Sequence, residues 1–178
     1  MARPEDKVMA QLKCIYTNAR SMGNKQEELE AIVRQAAYDL VAITETWGDQ
    51  SHDWSAAMPG YKLFRRDRQH RRGGGVALCI RESFDVVELE AGNDKVESLW
   101  VRIGTDNKAS VLVRVCYRPL NQDEETDEEF YRQLTEVAKS SAALVLVGDF
   151  NFPDISWKHN TAQRSSLGGF WRAWKIAS

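Results

Sequence analysis

Four polar side chains lie at or just beyond the ends of short apolar segments, and together they could bind a divalent cation and a phosphate group. They are Asn18, Glu45, Asp149 and Asn151. Any one of them could be a simple turn residue, because strands commonly end in Asn or Asp. As a set they supply two carboxylates, which are the hard oxygen ligands that Mg²⁺ prefers, and two amides that can contact a phosphate without repelling it. The set therefore predicts metal-assisted hydrolysis of a phosphoester.

Further candidate phosphate contacts lie in two other segments. Tyr117 and Arg118 close an apolar run in front of Pro119. Tyr117 is either a core aromatic or a phenol that donates to a phosphate oxygen, and Arg118 is either a second donor or a solvated charge. Residues 65–72 carry five arginines and a histidine, typical of a solvated loop or of a segment that contacts a nucleic-acid backbone. The following Gly73-Gly74-Gly75 resembles a phosphate cradle but has no Walker lysine after it, so a tight turn before a strand is favoured.

The elements that would position these residues are short apolar strands and amphipathic helices. Strands are predicted over Leu12–Asn18, Leu40–Thr44, Tyr61–Phe64, Gly75–Ile80, Ser98–Ile103, Ser110–Tyr117 and Leu144–Val147. Helices are predicted over Asn24–Tyr38 and Asp123–Ser140, where apolar residues recur at helical spacing. Strand hairpins mixed with helical crossovers indicate a layered α/β fold with a mixed sheet, in which strand ends line a crevice.

Composition restricts the class of protein. A length of 178 residues, with 43% hydrophobic and 28% charged residues, is typical of one globular domain. The net charge of -2 means that a nucleic-acid site would have to be a local patch. Cys14, Cys79 and Cys116 lie in apolar runs without a paired spacing, which predicts buried free thiols in a reducing compartment. No signal peptide is apparent, and no apolar run approaches the ~18 residues of a membrane span, so we expect an intracellular protein without a membrane partner.

Five short motifs resemble those of the endonuclease/exonuclease/phosphatase family and occur in its order and rough spacing. They are Thr17-Asn18-Ala19-Arg20-Ser21, Ile43-Thr44-Glu45-Thr46-Trp47, Gly73-Gly74-Gly75-Val76-Ala77, Tyr117-Arg118-Pro119 and Gly148-Asp149-Phe150-Asn151. The motif sequences around Glu45 and around Tyr117 look like those of the branch found in non-LTR retrotransposons. The resemblance runs from residue 11 to about residue 160.

The resemblance implies an α/β fold of a particular kind, a four-layer α/β sandwich of two mixed β-sheets flanked by helices. It also implies an enzyme that nicks DNA with Mg²⁺, or Mn²⁺, as cofactor. By similarity to the family, Glu45 would bind the metal with Asn18 beside it. Tyr117 and Asn151 would hold the phosphate, and Asp149 would orient or deprotonate the attacking water.

The basic residues in or beside these motifs are the candidate substrate contacts. They are Arg20, Arg71, Arg72 and Arg118. The expected partner is DNA and the expected state is a monomer. The resemblance further implies a nuclear location and a parent protein that carries a reverse transcriptase, so that the nick primes reverse transcription.

The sequence departs from the family's pattern towards its C-terminus. The family ends in a Ser-Asp-His motif whose histidine completes the acid/base machinery, and these 178 residues contain none. This predicts a sandwich that is incomplete at the C-terminus and nicking that is weak or absent, since such a group contributes typically ~10²–10⁴-fold in rate. Gly168-Gly169-Phe170-Trp171 resembles the product of the family's usual codons in this region when they are read one base later. We therefore expect an N-terminal extension over 1–10, a partial domain over 11–167 and a non-homologous, frameshifted tail over 168–178.

Two alternatives to an active endonuclease stay open from the sequence. One is a non-catalytic DNA-binding module or an unselected retroelement remnant, which would keep salt-dependent binding through residues 65–72 without turnover. The other is a phosphomonoesterase of the same fold. The similarity of the motifs to those of retrotransposon proteins argues against a phosphomonoesterase. A phosphate-release assay distinguishes it from an endonuclease.

Overall fold

Helices and strands alternate through the part of the chain that the computed structural model describes, namely residues 12–23, 25–47, 58–68, 73–90, 95–104, 110–139, 143–151, 155–156 and 161–162. In chain order the elements are β1 (Cys14–Asn18), α1 (Gln26–Ala36), β2 (Leu40–Thr44), β3 (Tyr61–Arg66), β4 (Val76–Arg81), β5 (Asp85–Leu89), β6 (Ser98–Gly104), β7 (Ser110–Tyr117), α2 (Glu124–Ala138), β8 (Ala143–Asp149), β9 (Ile155–Ser156) and β10 (Thr161–Ala162). Within these described residues, neither helix is long and apolar enough to cross a membrane.

The eight longer strands form two four-stranded sheets, and both sheets are mixed. The first sheet has the order β1-β2-β4-β3, with β1 parallel to β2 and the other pairs antiparallel. The second has the order β5-β6-β7-β8, with β7 parallel to β8 and the other pairs antiparallel. In each sheet the parallel pair is joined by a helix, because parallel neighbours need a long crossover.

The two sheets and the two helices stack in four layers. Alternate residues of β2 and β4, such as Ala42 and Leu78, face Val101 and Val113 of the second sheet and form the central core. The other face of the first sheet is covered by α1 through Leu29 and Val33. The other face of the second sheet is covered by α2 through Phe130 and Leu134. The four-layer α/β sandwich that the resemblance implied is confirmed.

Some local predictions differ from the structure for simple physical reasons. The β5 strand was not predicted, since its charged residues Asp85 and Glu88 dilute the apolar pattern of an exposed strand. Helix α1 ends at Ala36 rather than at Tyr38, because Ala37 takes a left-handed conformation with φ 53° and stops the helix. Ile32, one of the apolar residues at helical spacing in this segment, is 41% exposed.

The cysteines are free thiols, as predicted, but they do not share one environment. Cys79 and Cys116 are buried in the first and the second sheet, whereas Cys14 is exposed, so the prediction of burial was wrong for Cys14. Burial raises the pKa of Cys79 to about 12 and that of Cys116 to about 11. The two buried thiols therefore stay protonated and inert at neutral pH.

One edge of the sandwich collects most of the strand ends that carry polar residues. The parallel pairs end there together, with Asn18 beside Thr44 in the first sheet and Tyr117 beside Asp149 in the second. Since β3 ends at this edge and both β4 and β6 begin there, their connecting loops also meet at it. This edge is where the predicted site residues converge.

Candidate functional site

The Asn18 side chain connects the two sheets at this edge. Its amide nitrogen Nδ2 donates to Glu45 Oε1 at 2.9 Å and to Asp149 Oδ2 at 3.1 Å. An amide nitrogen carries two protons, so each carboxylate receives one. Three of the predicted site residues are thus brought together, and two acidic groups from different sheets share one donor.

The loops after β1 and β2 hold this arrangement with strained backbone. Arg20, Ser21, Glu45 and Trp47 all have positive φ angles, between 48° and 96°. Residues other than glycine rarely adopt this conformation, and it costs of order ~1–3 kcal/mol where surrounding contacts enforce it. Here the Ser21 amide donates to the Glu45 carbonyl at 2.9 Å, so each loop fixes the other. The strain directs Glu45 to Asn18 instead of onward along the strand.

The glycine run forms the tight turn that opens β4. Gly73, Gly74 and Gly75 have φ angles of 93°, 69° and 86°, a region that only glycine enters freely. A side chain on Gly75 would overlap the Thr46 hydroxyl, and the carbonyl of Gly74 accepts from the Trp47 amide at 3.0 Å. The glycines therefore let this turn pack closely against the loop that carries Glu45.

Tyr117 ends β7 beside Asp149, with its ring half-buried. Its amide donates to the Glu97 carbonyl at 2.9 Å. Burial, and then the negative charge of Glu45, raise the pKa of Tyr117. Nearby, the Tyr16 hydroxyl lies 2.9 Å from the Thr44 hydroxyl, and burial likewise raises its pKa. At neutral pH both phenols keep their protons, so Tyr117 can donate a hydrogen bond to an anion.

Arg118 points into the protein and not into the open site. Only 9% exposed, it forms a two-pronged ion pair with Asp127 of α2 at 2.8 and 2.6 Å. It also donates to the Asn151 carbonyl at 2.7 Å, and the Asn151 side chain donates back to the Arg118 carbonyl at 2.9 Å. In this geometry Arg118 is neither the solvated charge nor the outward phosphate donor weighed from the sequence. It ties α2 to the loop that carries Asn151.

Of the remaining predicted substrate contacts, the structure describes Arg20 alone. Arg20 is exposed at the rim, and its amide donates to Asn18 Oδ1 at 3.2 Å. Arg71 and Arg72 lie outside the described residues. Among the residues that the structure describes, no three His, Cys, Asp or Glu side chains form a metal-binding group. Two carboxylates nevertheless fit Mg²⁺, which usually takes one or two from the protein and completes its shell with water and substrate.

Arg68 and Glu97 are site neighbours that the sequence did not single out. Their side chains form a two-pronged ion pair, and the Arg68 guanidinium lies 5.6 Å from the centre of the Tyr117 ring. Arg68 was hidden among the other arginines of its run. Glu97 precedes β6, and only the antiparallel pairing of β6 with β7 reveals that this start lies beside Tyr117.

Comparison with known proteins shows the family to which the chain belongs. The family model described as "Endonuclease/Exonuclease/phosphatase family" matches residues 13–176, which is most of the chain. The chain belongs to the endonuclease/exonuclease/phosphatase family. The match passes residue 167, and the boundaries expected at residues 10 and 167 stay predictions. No curated protein matches the sequence at a significant level.

Several solved structures share the fold of this family member at low sequence identity. The endonuclease domain of TRAS1, a telomere-specific non-LTR retrotransposon, is 16% identical with a TM-score of 0.60, covering 78% of this chain and 60% of that domain. The AP endonuclease LMAP from Leishmania major is 15% identical with a TM-score of 0.65, covering 80% of this chain and 56% of that one. A mannosyl-6-phosphatase from Bacteroides thetaiotaomicron is 19% identical with a TM-score of 0.60, covering 79% and 65%. The chain thus spans under two thirds of each of these structures.

Proposed function

We propose that this chain is the endonuclease part of a non-LTR retrotransposon protein and that it hydrolyses phosphodiester bonds of DNA with Mg²⁺ or Mn²⁺. The observation that supports this most is the Asn18 amide, which bridges Glu45 and Asp149 at the edge where the two sheets meet. The Thr-Glu-Thr-Trp and Tyr-Arg-Pro motifs give the retrotransposon assignment. The shared fold with the TRAS1 endonuclease domain is consistent with it.

The two bridged carboxylates are the residues suited to a metal ion. Glu45 would hold the ion with Asn18 beside it, as the resemblance implies, and Asn18 would orient both carboxylates through its amide nitrogen. Hard oxygen donors of this kind suit a magnesium or manganese ion better than a soft metal. When bound, such an ion polarises the phosphoryl oxygen and acidifies a bound water.

The chain's other residues would handle the substrate and the proton. Asp149, the second carboxylate bound by the Asn18 amide, would orient the attacking water and accept its proton, as the resemblance implies. Tyr117, which is protonated at neutral pH, would donate to a phosphate oxygen, as would the Asn151 amide. Arg20, Arg71 and Arg72 would contact the DNA backbone.

Nicking of supercoiled plasmid in Mg²⁺ tests this proposal. Glu45→Gln and Asp149→Asn each keep the size of the side chain and remove its charge, so we expect each to lower the nicking rate at least ~10²-fold. Glu28→Gln removes an acidic group from the exposed first turn of α1 and should leave the rate unchanged. Nicking by the Glu45 and Asp149 variants at the wild-type rate would refute the proposed site.

The same assay tests the predicted weakness of these 178 residues. A version extended by a Ser-Asp-His segment should nick about 10²–10⁴-fold faster, because a positioned acid/base group contributes that much. Binding of DNA without nicking by either version would favour the non-catalytic alternative. Phosphate release from a monoester without nicking would favour a phosphomonoesterase. The nuclear location, the reverse-transcriptase parent and the monomeric state stay predictions from the resemblance.

A further inference from the structure

An ion pair joins the two sheets directly beside the proposed site. Arg68 follows the end of β3 in the first sheet, and Glu97 precedes β6 in the second. The guanidinium donates from Nε to Oε1 at 2.8 Å and from Nη2 to Oε2 at 2.5 Å. The two side chains are 24% and 19% exposed, so solvent and solutes still reach the pair.

The pair lies close to the groups of the proposed site. The Arg68 guanidinium lies 5.6 Å from the centre of the Tyr117 ring, and its charge also acts on Glu45. A side chain at Gly74 would approach both Arg68 and Glu97 to 2.6 Å, so glycine leaves the room that the pair occupies. The cation is therefore next to the groups that would receive a phosphate.

Glu97 keeps another partner if Arg68 moves. The Gly75 amide donates to Glu97 Oε1 at 3.4 Å, and the Glu97 backbone carbonyl accepts from the Tyr117 amide. The pair is partly exposed, so a phosphate that arrives from solvent can reach the guanidinium and compete with the carboxylate for it. A guanidinium fork matches a phosphate as well as it matches a carboxylate.

We propose that Arg68 is a phosphate-binding residue of this site, which rests on Glu97 until a phosphate of the nucleic acid takes the place of the carboxylate. This inference rests on the proposed function, because it requires a polyanionic substrate. Glu45 and Asp149 make the site acidic, and an arriving phosphate needs a nearby cation to offset their repulsion. Glu97 holds that cation beside the site.

The test measures the salt dependence of DNA binding. A short fluorescein-labelled DNA duplex is titrated with the full chain in EDTA, which prevents metal-dependent cutting, at several concentrations of monovalent salt. Loss of one direct phosphate contact lowers the slope of log affinity against log salt by about one unit. We expect this change in Arg68→Met, no change in Arg68→Lys, and tighter binding with an unchanged slope in Glu97→Gln.

Arg81 offers a matched control at the opposite edge of the first sheet. It pairs with Asp39 at 3.1 Å and lies 5.6 Å from the centre of the Tyr61 ring, which repeats the arrangement around Arg68. Arg81→Met should therefore leave both affinity and slope unchanged. Salt slopes that are the same in Arg68→Met and the wild type would overturn the inference, as would equal weakening by Arg68→Met and Glu97→Gln.

Failure of the inference differs from failure of the proposed function. If the wild type binds and nicks DNA but the Arg68→Met slope is unchanged, Arg68 is only a link between the sheets. If the wild type neither binds nor nicks DNA, both proposals fail. Circular dichroism of each variant establishes that the fold is intact before binding is compared.

Discussion

Each sheet contains one parallel strand–helix–strand unit that ends at the proposed site, but the two units hold their predicted site residues differently. In β1–α1–β2 the acidic residue Glu45 lies beyond the strand, in left-handed backbone with φ 53°. In β7–α2–β8 the residues Tyr117 and Asp149 lie within the strands, as partners in the ladder. The first unit therefore aims its side chain by loop strain, whereas the second does so by strand register.

The helices of the two units are also anchored differently. Helix α1 rests on the first sheet through apolar contacts. Helix α2 additionally covers Arg114, which is fully buried between the rings of Trp100 and Phe130 and donates to Ser98 Oγ and to Gln133 Oε1. Burial lowers the pKa of Arg114, and among the described residues its Nε and Nη1 atoms have no hydrogen-bond partner. The second unit thus depends on polar pairing, and single changes there should cost more.

The largest effect is expected at the point where the register of the second unit is set. Gly148 has φ 146°, and a side chain on it would overlap the carbonyl of Cys116 across the ladder. Gly148→Ala should force β7 and β8 apart, lower the free energy of unfolding by about 3 kcal/mol and abolish nicking. Urea denaturation of Gly60→Ala is the control, because Gly60 has φ 85° but open space around it. Equal losses at the two glycines would contradict the close approach of the strands.

A smaller loss is expected when Arg114 loses an acceptor. Gln133→Ala should lower the free energy of unfolding by about 2 kcal/mol, since a hydrogen bond to a buried charge disappears. Gln26→Ala, which removes a similar side-chain contact from α1, should cost only about 0.2–0.5 kcal/mol. Adding Arg114→Met to Gln133→Ala should restore part of the loss, because it removes the unpaired buried charge. A further decrease in the free energy of unfolding of the double variant would show that Arg114 stabilises the fold by itself.

Alkaline pH should destabilise both sheets through their buried thiols. Burial raises the pKa of Cys79 to about 12 and of Cys116 to about 11, from an ordinary value of 9.0. The folded state holds these protons more tightly, so stability is complete below pH 9 and falls as pH rises towards the folded values. Each thiol should lower the free energy of unfolding by about 1 kcal/mol between pH 9 and pH 10. The free energy of unfolding of Cys79→Val and of Cys116→Val, measured by denaturation at each pH, should fall less steeply over this range than that of the wild type. A double variant with the same pH dependence as the wild type would contradict this.

The smallest effect concerns the ends of the two helices. Helix α1 is capped by Ala37 with φ 53°, whereas α2 is capped by Lys139 with φ -75°. Ala37→Gly should stabilise the protein by about 0.5–1 kcal/mol, because glycine adopts the left-handed cap without steric cost. Lys139→Gly should bring no gain. Thermal denaturation of the two variants measures this difference, and a gain from Lys139→Gly would be unexpected.

The fold was predictable wherever burial leaves a simple pattern. Strand β2 is buried at every position, and its apolar run Leu40–Thr44 was predicted with the bounds that the structure has. Asn18, Glu45 and Asp149 were identifiable because parallel strands bring their carboxyl ends to one edge. Strand β5 was missed since an exposed strand needs few apolar residues.

Contacts that depend on how separate elements dock could not be predicted from the sequence. The pairing of Arg118 with Asp127 follows from the placement of α2, and sequence spacing does not indicate it. The pairing of Arg68 with Glu97 requires both the approach of the two sheets and the space above Gly74. Charged residues have many possible partners, so their type alone does not determine which one they meet.

The bridge made by Asn18 has a consequence for the synthesis of the protein. Its two acceptors, Glu45 and Asp149, follow it by 27 and 131 residues. At translation rates of ~5–20 residues per second, Asn18 and Glu45 wait roughly 5–20 seconds on the nascent chain before Asp149 is made. The first sheet must therefore persist without the strand that completes the bridge. Capture of a metal ion by the completed pair of carboxylates would then be a late event, which a time-resolved binding measurement on stalled ribosomes could follow.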